Sequence, residues 1–231
     1  MIATSNEGKR REFETLLGAV LEEDWKVLDH RSYPGALPEI EENKESFSGN
    51  AIKKALETSE ITGVVVLADD SGLEVDGLGG APGVRTARFA GENATDEENI
   101  AHLLEALKGK EGAERRARFR VALALVMPDT EVARRLLGRA GWSFGEVEVG
   151  ASRKPEELVR IEDRVVVWFE GTLEGRIAEE PRGEGGFGYD PVFLLPGEER
   201  SLAELSREEK NQISHRGQAC RKLAAFFGSG E

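Results

Sequence analysis

The residues best suited to chemistry in this chain are two adjacent carboxylates, Asp69 and Asp70, at the end of an apolar run. They lie in Leu67-Ala-Asp-Asp-Ser-Gly-Leu-Glu-Val75, directly after Val64, Val65 and Val66. Charges beside an apolar strand are costly unless something compensates them. Ligands of open α/β sheets gather outside the carboxyl ends of strands. Two readings fit the stretch alone: a metal and catalytic site, or a strand-to-loop turn, since Asp, Ser and Gly are common turn residues. In a regular strand neighbouring side chains face opposite sides. Both carboxylates therefore reach one metal only if the chain turns at Ser71-Gly72.

Three other stretches carry groups that would complement such a pair. Thr4, Ser5, Asn6, Glu7 and Gly8 form a polar loop ending at Lys9, between a strand stub at Met1–Ala3 and a helix marked by Phe13, Leu16, Leu17, Val20 and Leu21. Free N–H groups at a helix start bind anions. The loop is not a Walker A motif, because its first glycine is missing and Arg10 stands where Ser or Thr belongs. Next, Glu39, Glu41, Glu42 and Glu45 crowd a turn-rich segment (residues 31–49, with Pro34, Gly35 and Pro38), which reads as a solvated face or as the source of one metal ligand. A helix follows, with Ser48 or Asn50 as its cap and Ala51, Ile52, Ala55, Leu56 and Ser59 on one face. Lys53 and Lys54 in its first turns oppose the helix dipole and hint at a nearby anion. The third stretch is Gly183-Glu-Gly-Gly-Phe-Gly-Tyr-Asp-Pro191. Its glycines allow close backbone approach to a ligand and its aromatic rings offer a stacking surface. It also fits a tight inter-strand loop.

The elements that must hold these groups alternate between helix and strand. Thr95 with Glu98 makes a capping box ahead of Ile100, Leu103, Leu104 and Leu107. Residues 117–127 read as a long strand, with Phe119, Val121, Leu123, Leu125 and Met127 on one face and Ala122, Ala124 and Val126 on a second covered face. Segments 165–170 and 172–178 read as two strands joined at Gly171, and Val132 to Leu137 as a short helix. Ser206 and Glu209 cap a helix carrying Lys210 and Ile213, followed by a second helical run with Ala219, Cys220, Leu223 and Phe227. Cys220 reads as a small core residue, and His30 and His102 as structural or solvated.

Composition narrows the class. A net charge of −13 over 231 residues disfavours non-specific binding to nucleic acid or a membrane surface. The single cysteine excludes an internal disulfide framework and a cysteine-built zinc site. No apolar run has spanning length and the N-terminus lacks a signal-peptide pattern, so a cytoplasmic setting is the default.

Five stretches, in order, resemble one family, the non-canonical purine nucleoside triphosphate pyrophosphatases (inosine/xanthosine triphosphatases). They are Ala3-Thr-Ser-Asn-Glu-Gly-Lys9; Phe47 with Asn50-Ala51 and Lys54-Ala55; Ala68-Asp-Asp-Ser-Gly-Leu73 with Leu78-Gly-Gly-Ala-Pro-Gly83; Gly185-Gly-Phe-Gly-Tyr-Asp-Pro191; and Glu204-Leu with Glu209-Lys210 and Ile213-Ser-His-Arg-Gly217. The segment 129–163 is longer than the family pattern needs and reads as an insertion, and the first strand lacks a residue or more. The resemblance implies one two-lobed domain over 1–231: an elongated α/β fold with a long mixed β-sheet flanked by helices and the active-site cleft between the lobes. It implies a homodimer, and Mg²⁺-dependent hydrolysis of ITP, dITP and XTP to monophosphate and pyrophosphate, which cleanses the nucleotide pool.

The same resemblance implies roles. Asp70 is the proton acceptor and a metal ligand, and Asp69 a weaker ligand or a support. A glutamate of the acidic segment is the second ligand; Glu41 and Glu42 both fit, with Glu42 preferred. Thr4, Ser5, Asn6, Glu7, Gly8 and Lys9 hold phosphates, Lys54 compensates charge, and Ser71 bonds a phosphate or sugar oxygen. Phe187 stacks on the base within the Phe187-Gly188-Tyr189-Asp190 stretch, Asp190 makes a polar contact to it, and Lys210, His215 and Arg216 complete the pocket. Two alternatives stay open: a related pyrophosphatase for other modified nucleotides, pyrimidines included, and a nucleotide-binding regulator without turnover.

Overall fold

The computed structural model describes residues 1–4, 6–18, 33, 35, 37–145, 147 and 157–228. Ser5, Val20, Leu21, His30 and Pro34 lie outside the described residues, and so does part of the 129–163 segment. The fold is α/β, as the resemblance implies. Helix α1 (Glu7–Gly18) precedes α2 (Phe47–Thr62), β1 (Val66–Val75), α3 (Asp96–Ala106), β2 (Arg116–Pro128), α4 (Glu131–Arg139), β3 (Glu157–Ile161), β4 (Arg164–Ile177), β5 (Phe193–Leu194), α5 (Arg207–Ile213) and α6 (His215–Phe226). The sheet runs β1-β2-β4-β3, with β5 also paired to β4. The β3–β4 and β4–β5 pairs are antiparallel. A parallel bridge between Ile2 and Leu67 adds the N-terminal stub, which makes the pairing mixed.

The chain divides into two compact units. One comprises Met1–Asp70, Ala122–Glu170 and Arg216–Glu231, the other Ser71–Val121 and Gly171–His215. The boundaries fall inside β1, β2, β4 and α6. In the first unit Phe13 and Leu17 of α1, Ala51 and Ala55 of α2, and Ala122, Ala124 and Val126 of β2 are buried, so this half of β2 is covered on both faces. In the second, Leu73, Leu103, Phe119, Ile177 and Phe193 belong to one apolar cluster.

Three local expectations change. Helix α2 is capped by Ser46, whose Oγ accepts from Gly49 N, rather than by Ser48 or Asn50. Asn50 is instead buried, and its side chain serves tertiary contacts described below. Strand β1 does not turn at Ser71-Gly72; it continues through both residues to Val75, and Asp69, Asp70 and Ser71 are buried within it. Polar groups can stay inside a strand when partners meet them; Asp69 Oδ2 faces Lys9 and Arg216, and Asp70 Oδ2 accepts from Asn50. Strand β4 is likewise continuous through Gly171, not two strands. The glycine of β4 with a packing reason is Gly175, where an added Cβ would lie 2.5 Å from Leu194 O and from the Phe193 ring. That space lets β5 approach.

Candidate active site

In the first unit the acidic end of β1 meets α1 and α2. Asn6 opens α1: its Oδ1 accepts from Lys9 N (2.9 Å), while Asn6 N donates to Thr4 Oγ1 (3.3 Å). This places Lys9 in the first turn of α1 with its ammonium 2.9 Å from Asp69 Oδ2. Asp69 also lies 3.6 Å from the Arg216 guanidinium at the start of α6. Arg216 in turn donates to Glu12 Oε2 at 2.9 Å, and both side chains are buried. Lys9, Asp69, Arg216 and Glu12 thus form a chain of alternating charge.

Asp70, one residue on, has different partners. Asn50 Nδ2 donates to its Oδ2 at 2.9 Å. Asn50 Oδ1 accepts from Lys44 N, and its Nδ2 also approaches Lys44 O, which ties the acidic segment to α2. Glu42 pairs with Lys54. Glu41 is exposed, with its carboxylate accepting from Asn43 and its backbone oxygen from Lys53 Nζ.

The two neighbouring aspartates are pushed apart electrostatically. Burial drives the Asp69 pKa upward, but Lys9, then Arg216 and Lys54, outweigh it and hold Asp69 at about 2. Burial and then the Glu42 charge raise Asp70 to about 6, against smaller opposing effects of Lys9, Asn50 and Lys54. Burial disfavours the Lys54 charge, yet Asp69, Glu42 and Asp70 together raise its pKa. Divergent pKa values in a close carboxylate pair suit its members to different tasks. Asp69 is a fixed anion, whereas Asp70 is poised to exchange a proton near neutrality.

The donor set suits a hard divalent cation. Asp70 and Glu42 could supply carboxylate oxygens, and a cation would relieve the energetic strain on ionised Asp70. Among the described residues no group of three His, Cys, Asp or Glu side chains gathers around one point. Magnesium sites often need no more than one or two carboxylates, with water and phosphate oxygens completing the shell.

Breaking a buried ion pair by removing one partner costs about 3–5 kcal/mol, because the other charge is left buried. Glu12→Ala is therefore expected to lower the free energy of urea unfolding by about that amount. A loss of only about 0–1 kcal/mol, the value of an exposed pair, would show that the Arg216 charge does not depend on Glu12.

The second unit holds a separate cluster on the 183–190 loop. Asp190 is 3% exposed, and its Oδ2 accepts from both Phe187 N (2.9 Å) and Lys210 Nζ (2.6 Å). The same ammonium sits 4.6 Å from the centre of the half-buried Phe187 ring. Gly186 has φ +76°, and a Cβ there would come within 2.1 Å of Asp190 Oδ2, so the turn requires glycine. Gly188 N donates to Asp96 Oδ2 (2.6 Å), and Tyr189 OH donates to Thr86 O (2.9 Å). Burial pushes the Tyr189 pKa up, which keeps that hydroxyl a donor. His215 is buried and stacks on Phe119 at 5.1 Å.

The sequence-predicted residues therefore sort into two groups. Thr4, Asn6, Lys9, Glu42, Lys54, Asp69, Asp70 and Arg216 belong to the first unit, with Gly8 in the first turn of α1 and Glu7 opening it. Ser71, Phe187, Gly188, Tyr189, Asp190, Lys210 and His215 belong to the second. Arg216 pairs with Asp69 and Glu12 within the first unit. Sequence reasoning missed Glu12, Asn50 as a partner of Asp70, and Asp96. The signal for Glu12 was an acidic residue beside the apolar stripe of α1, next to Phe13. Cys220 is buried, and burial pushes its thiol up to about 12, which rules it out as a nucleophile at neutral pH. No helix among the described residues is long and apolar enough to cross a membrane.

Comparison with known proteins bears on family and fold. The sequence model of the Ham1 family matches residues 1–142 and 156–226. A dITP/XTP pyrophosphatase of Bacillus licheniformis is 44% identical over 227 residues, covering 98% of this chain and 96% of that protein. The structure of a HAM1 protein from Coxiella burnetii superposes with a TM-score of 0.75 at 37% identity, covering 98% of this chain and 96% of the other. The Staphylococcus aureus Ham1 protein gives a TM-score of 0.73 at 34% identity, with 100% and 98% covered. With a family match over most of its length and relatives alike from end to end, this chain belongs to the Ham1 family.

Proposed function

We propose that the protein hydrolyses non-canonical purine nucleoside triphosphates (dITP, ITP and XTP) to the monophosphate and pyrophosphate, removing them from the nucleotide pool. The observation that carries this reading is Asp70, a buried carboxylate held at about 6 beside Glu42 in a cluster that also contains Lys9 and Lys54. A base with a pKa near working pH combines the right protonation state with useful proton-transfer strength. Asp70 takes the proton of the water that attacks the α-phosphorus, and pyrophosphate leaves. Asn50 fixes the Asp70 carboxylate. Asp69, already committed to Lys9 and Arg216, sets the local charge and holds the α1 lysine in place. The start of α1 from Thr4 to Lys9, together with Lys54, binds the triphosphate, because helix N-termini and ammonium groups favour anions. Mg²⁺, held by Asp70 and Glu42 in preference to Glu41, would neutralise charge developing on the phosphates.

In this reading Phe187 stacks on the base and Lys210 donates to the 6-carbonyl of hypoxanthine or xanthine. Adenine carries an amino group there and leaves that donor unpaired, a mismatch that sites of this kind reject by about 10⁴-fold or more. Asp190 orients Lys210 and Phe187 and makes a polar contact to the base. Ser71 and His215 complete the substrate contacts of their unit. One pyrophosphatase domain across the chain, a homodimer and a cytoplasmic setting belong to the same proposal.

Incubation with ITP, XTP, dITP, ATP, GTP and dTTP in the presence of Mg²⁺, with products resolved, tests it. Monophosphate and pyrophosphate from ITP, dITP and XTP are expected, with ATP and dTTP left largely intact. Release of diphosphate and orthophosphate, preference for a pyrimidine, or absence of turnover sinks the reading.

A further inference from the structure

The 183–190 loop carries Gly183, Gly185, Gly186 and Gly188 around Phe187 and Tyr189, so its conformation must be fixed by specific bonds to its backbone. Part of that constraint comes from within the loop, through Asp190. The rest comes from the first turn of α3. Asp96 is the first residue of this helix, and its Oδ2 accepts from Gly188 N at 2.6 Å across a sequence separation of 92 residues. The bond is short and charge-assisted, the stronger class of hydrogen bond.

Asp96 has no capping duty to explain it. Thr95 Oγ1 accepts from Glu98 N, and the Glu98 carboxylate accepts from Thr95 N, which completes the capping box without Asp96. The same helix organises a second support of the loop. Asn99 accepts from Ala90 N and donates to Ala87 O, and between them Phe89 packs edge-on against His102 at 4.7 Å. This fixes the segment whose Thr86 carbonyl receives the Tyr189 hydroxyl. Phe187 N and Gly188 N are thus held by two carboxylates, one inside the loop and one outside it.

We propose that Asp96 is a positioning residue for base recognition: through Gly188 N it fixes the loop that presents Phe187 and thereby sets how well a purine stacks. The proposal rests on the functional reading above for the identity of the base. It predicts that Asp96 acts on substrate binding rather than on the hydrolytic step, because a preorganised loop saves ordering entropy on binding.

The test compares Asp96→Ala with Asp96→Asn, whose side-chain carbonyl can still accept from Gly188 N. Asp96 is exposed and the capping box is intact without it, so both variants retain the fold, which far-UV circular dichroism checks. Amide exchange of Gly188, read without substrate, is expected to accelerate about tenfold or more in Asp96→Ala and to stay near wild type in Asp96→Asn. KM for ITP is expected to rise about tenfold in Asp96→Ala with kcat within about twofold, and Asp96→Asn restores most of the loss. Inhibition by inorganic tripolyphosphate, which has no base, keeps its wild-type constant in both.

Unchanged Gly188 exchange in Asp96→Ala overturns the proposal. So does faster exchange with unchanged KM, or a parallel weakening of ITP and tripolyphosphate. If the wild-type protein leaves ITP intact, the functional reading fails instead, and Gly188 exchange alone decides whether Asp96 holds the loop.

Discussion

Asp70→Asn is expected to lower kcat for ITP by at least about 10³-fold while making the metal-free protein more stable at neutral pH. The loss follows because the amide cannot accept the proton of the attacking water. The gain follows from linkage. The folded-state pKa of about 6 lies above the ordinary value of 3.8, so the folded protein binds the Asp70 proton more tightly than the unfolded chain does. Below 3.8 both states are protonated and Asp70 contributes nothing; between 3.8 and about 6 stability falls as pH rises; above about 6 the penalty is complete. Its size is on the order of 3 kcal/mol. Asparagine carries no charge to penalise, and its Oδ1 can still accept from Asn50 Nδ2. For a chain of this length each kcal/mol recovered corresponds to roughly 2–4 °C in melting temperature. The gain should be present at pH 7.5 and vanish at pH 3.5, read by thermal unfolding in EDTA. Loss of both activity and stability at pH 7.5 would mean that the Asp70 charge supports the fold, and the assignment as base would lose its physical ground. The same sign governs metal binding. Below about 6 a bound Mg²⁺ must displace the proton, so its affinity should fall by up to about tenfold per pH unit, measurable by calorimetry.

This carboxylate pair shows what the sequence made legible and what it did not. The apolar run marked a strand, because that signal is local, while the two acids alone fitted a turn as well as a site. The capping boxes at Thr95 and Ser206 were legible for the same reason, since each is closed within four residues. The passage of β1 straight through Ser71-Gly72 was hidden, because it depends on Lys9, Arg216 and Asn50 arriving from other elements. Polar and small residues read as turn formers only while their tertiary partners are unknown. Gly171 misled in the same way, whereas Gly175 proved to be a point of close packing rather than a break. Asn50 looked like a cap and is a buried partner of the proposed base. Asp96 was masked by the capping box that surrounds it, and Glu12 by a helix pattern in which only apolar residues were counted.

Lys210→Met is expected to cut discrimination between ITP and ATP by on the order of 10²-fold. Its kcat/KM for ITP should fall on the order of 10²-fold, while the low value for ATP changes little, because only the 6-carbonyl loses a partner. The substitution also removes the cation beside Asp190, and both side chains are almost fully buried. An unpaired buried carboxylate costs about 3–5 kcal/mol, so loss of activity in this variant alone would not separate recognition from folding. The double variant Lys210→Met/Asp190→Asn separates them. It removes both charges, and the introduced amide can still accept from Phe187 N through its carbonyl oxygen, so most of the lost stability should return. Selectivity should not return, because no donor faces the base. Recovery of both stability and ITP selectivity in the double variant would assign Lys210 to the support of Asp190 and move base recognition elsewhere in the loop. Recovery of stability alone leaves the ammonium over the Phe187 ring as the group that reads the purine.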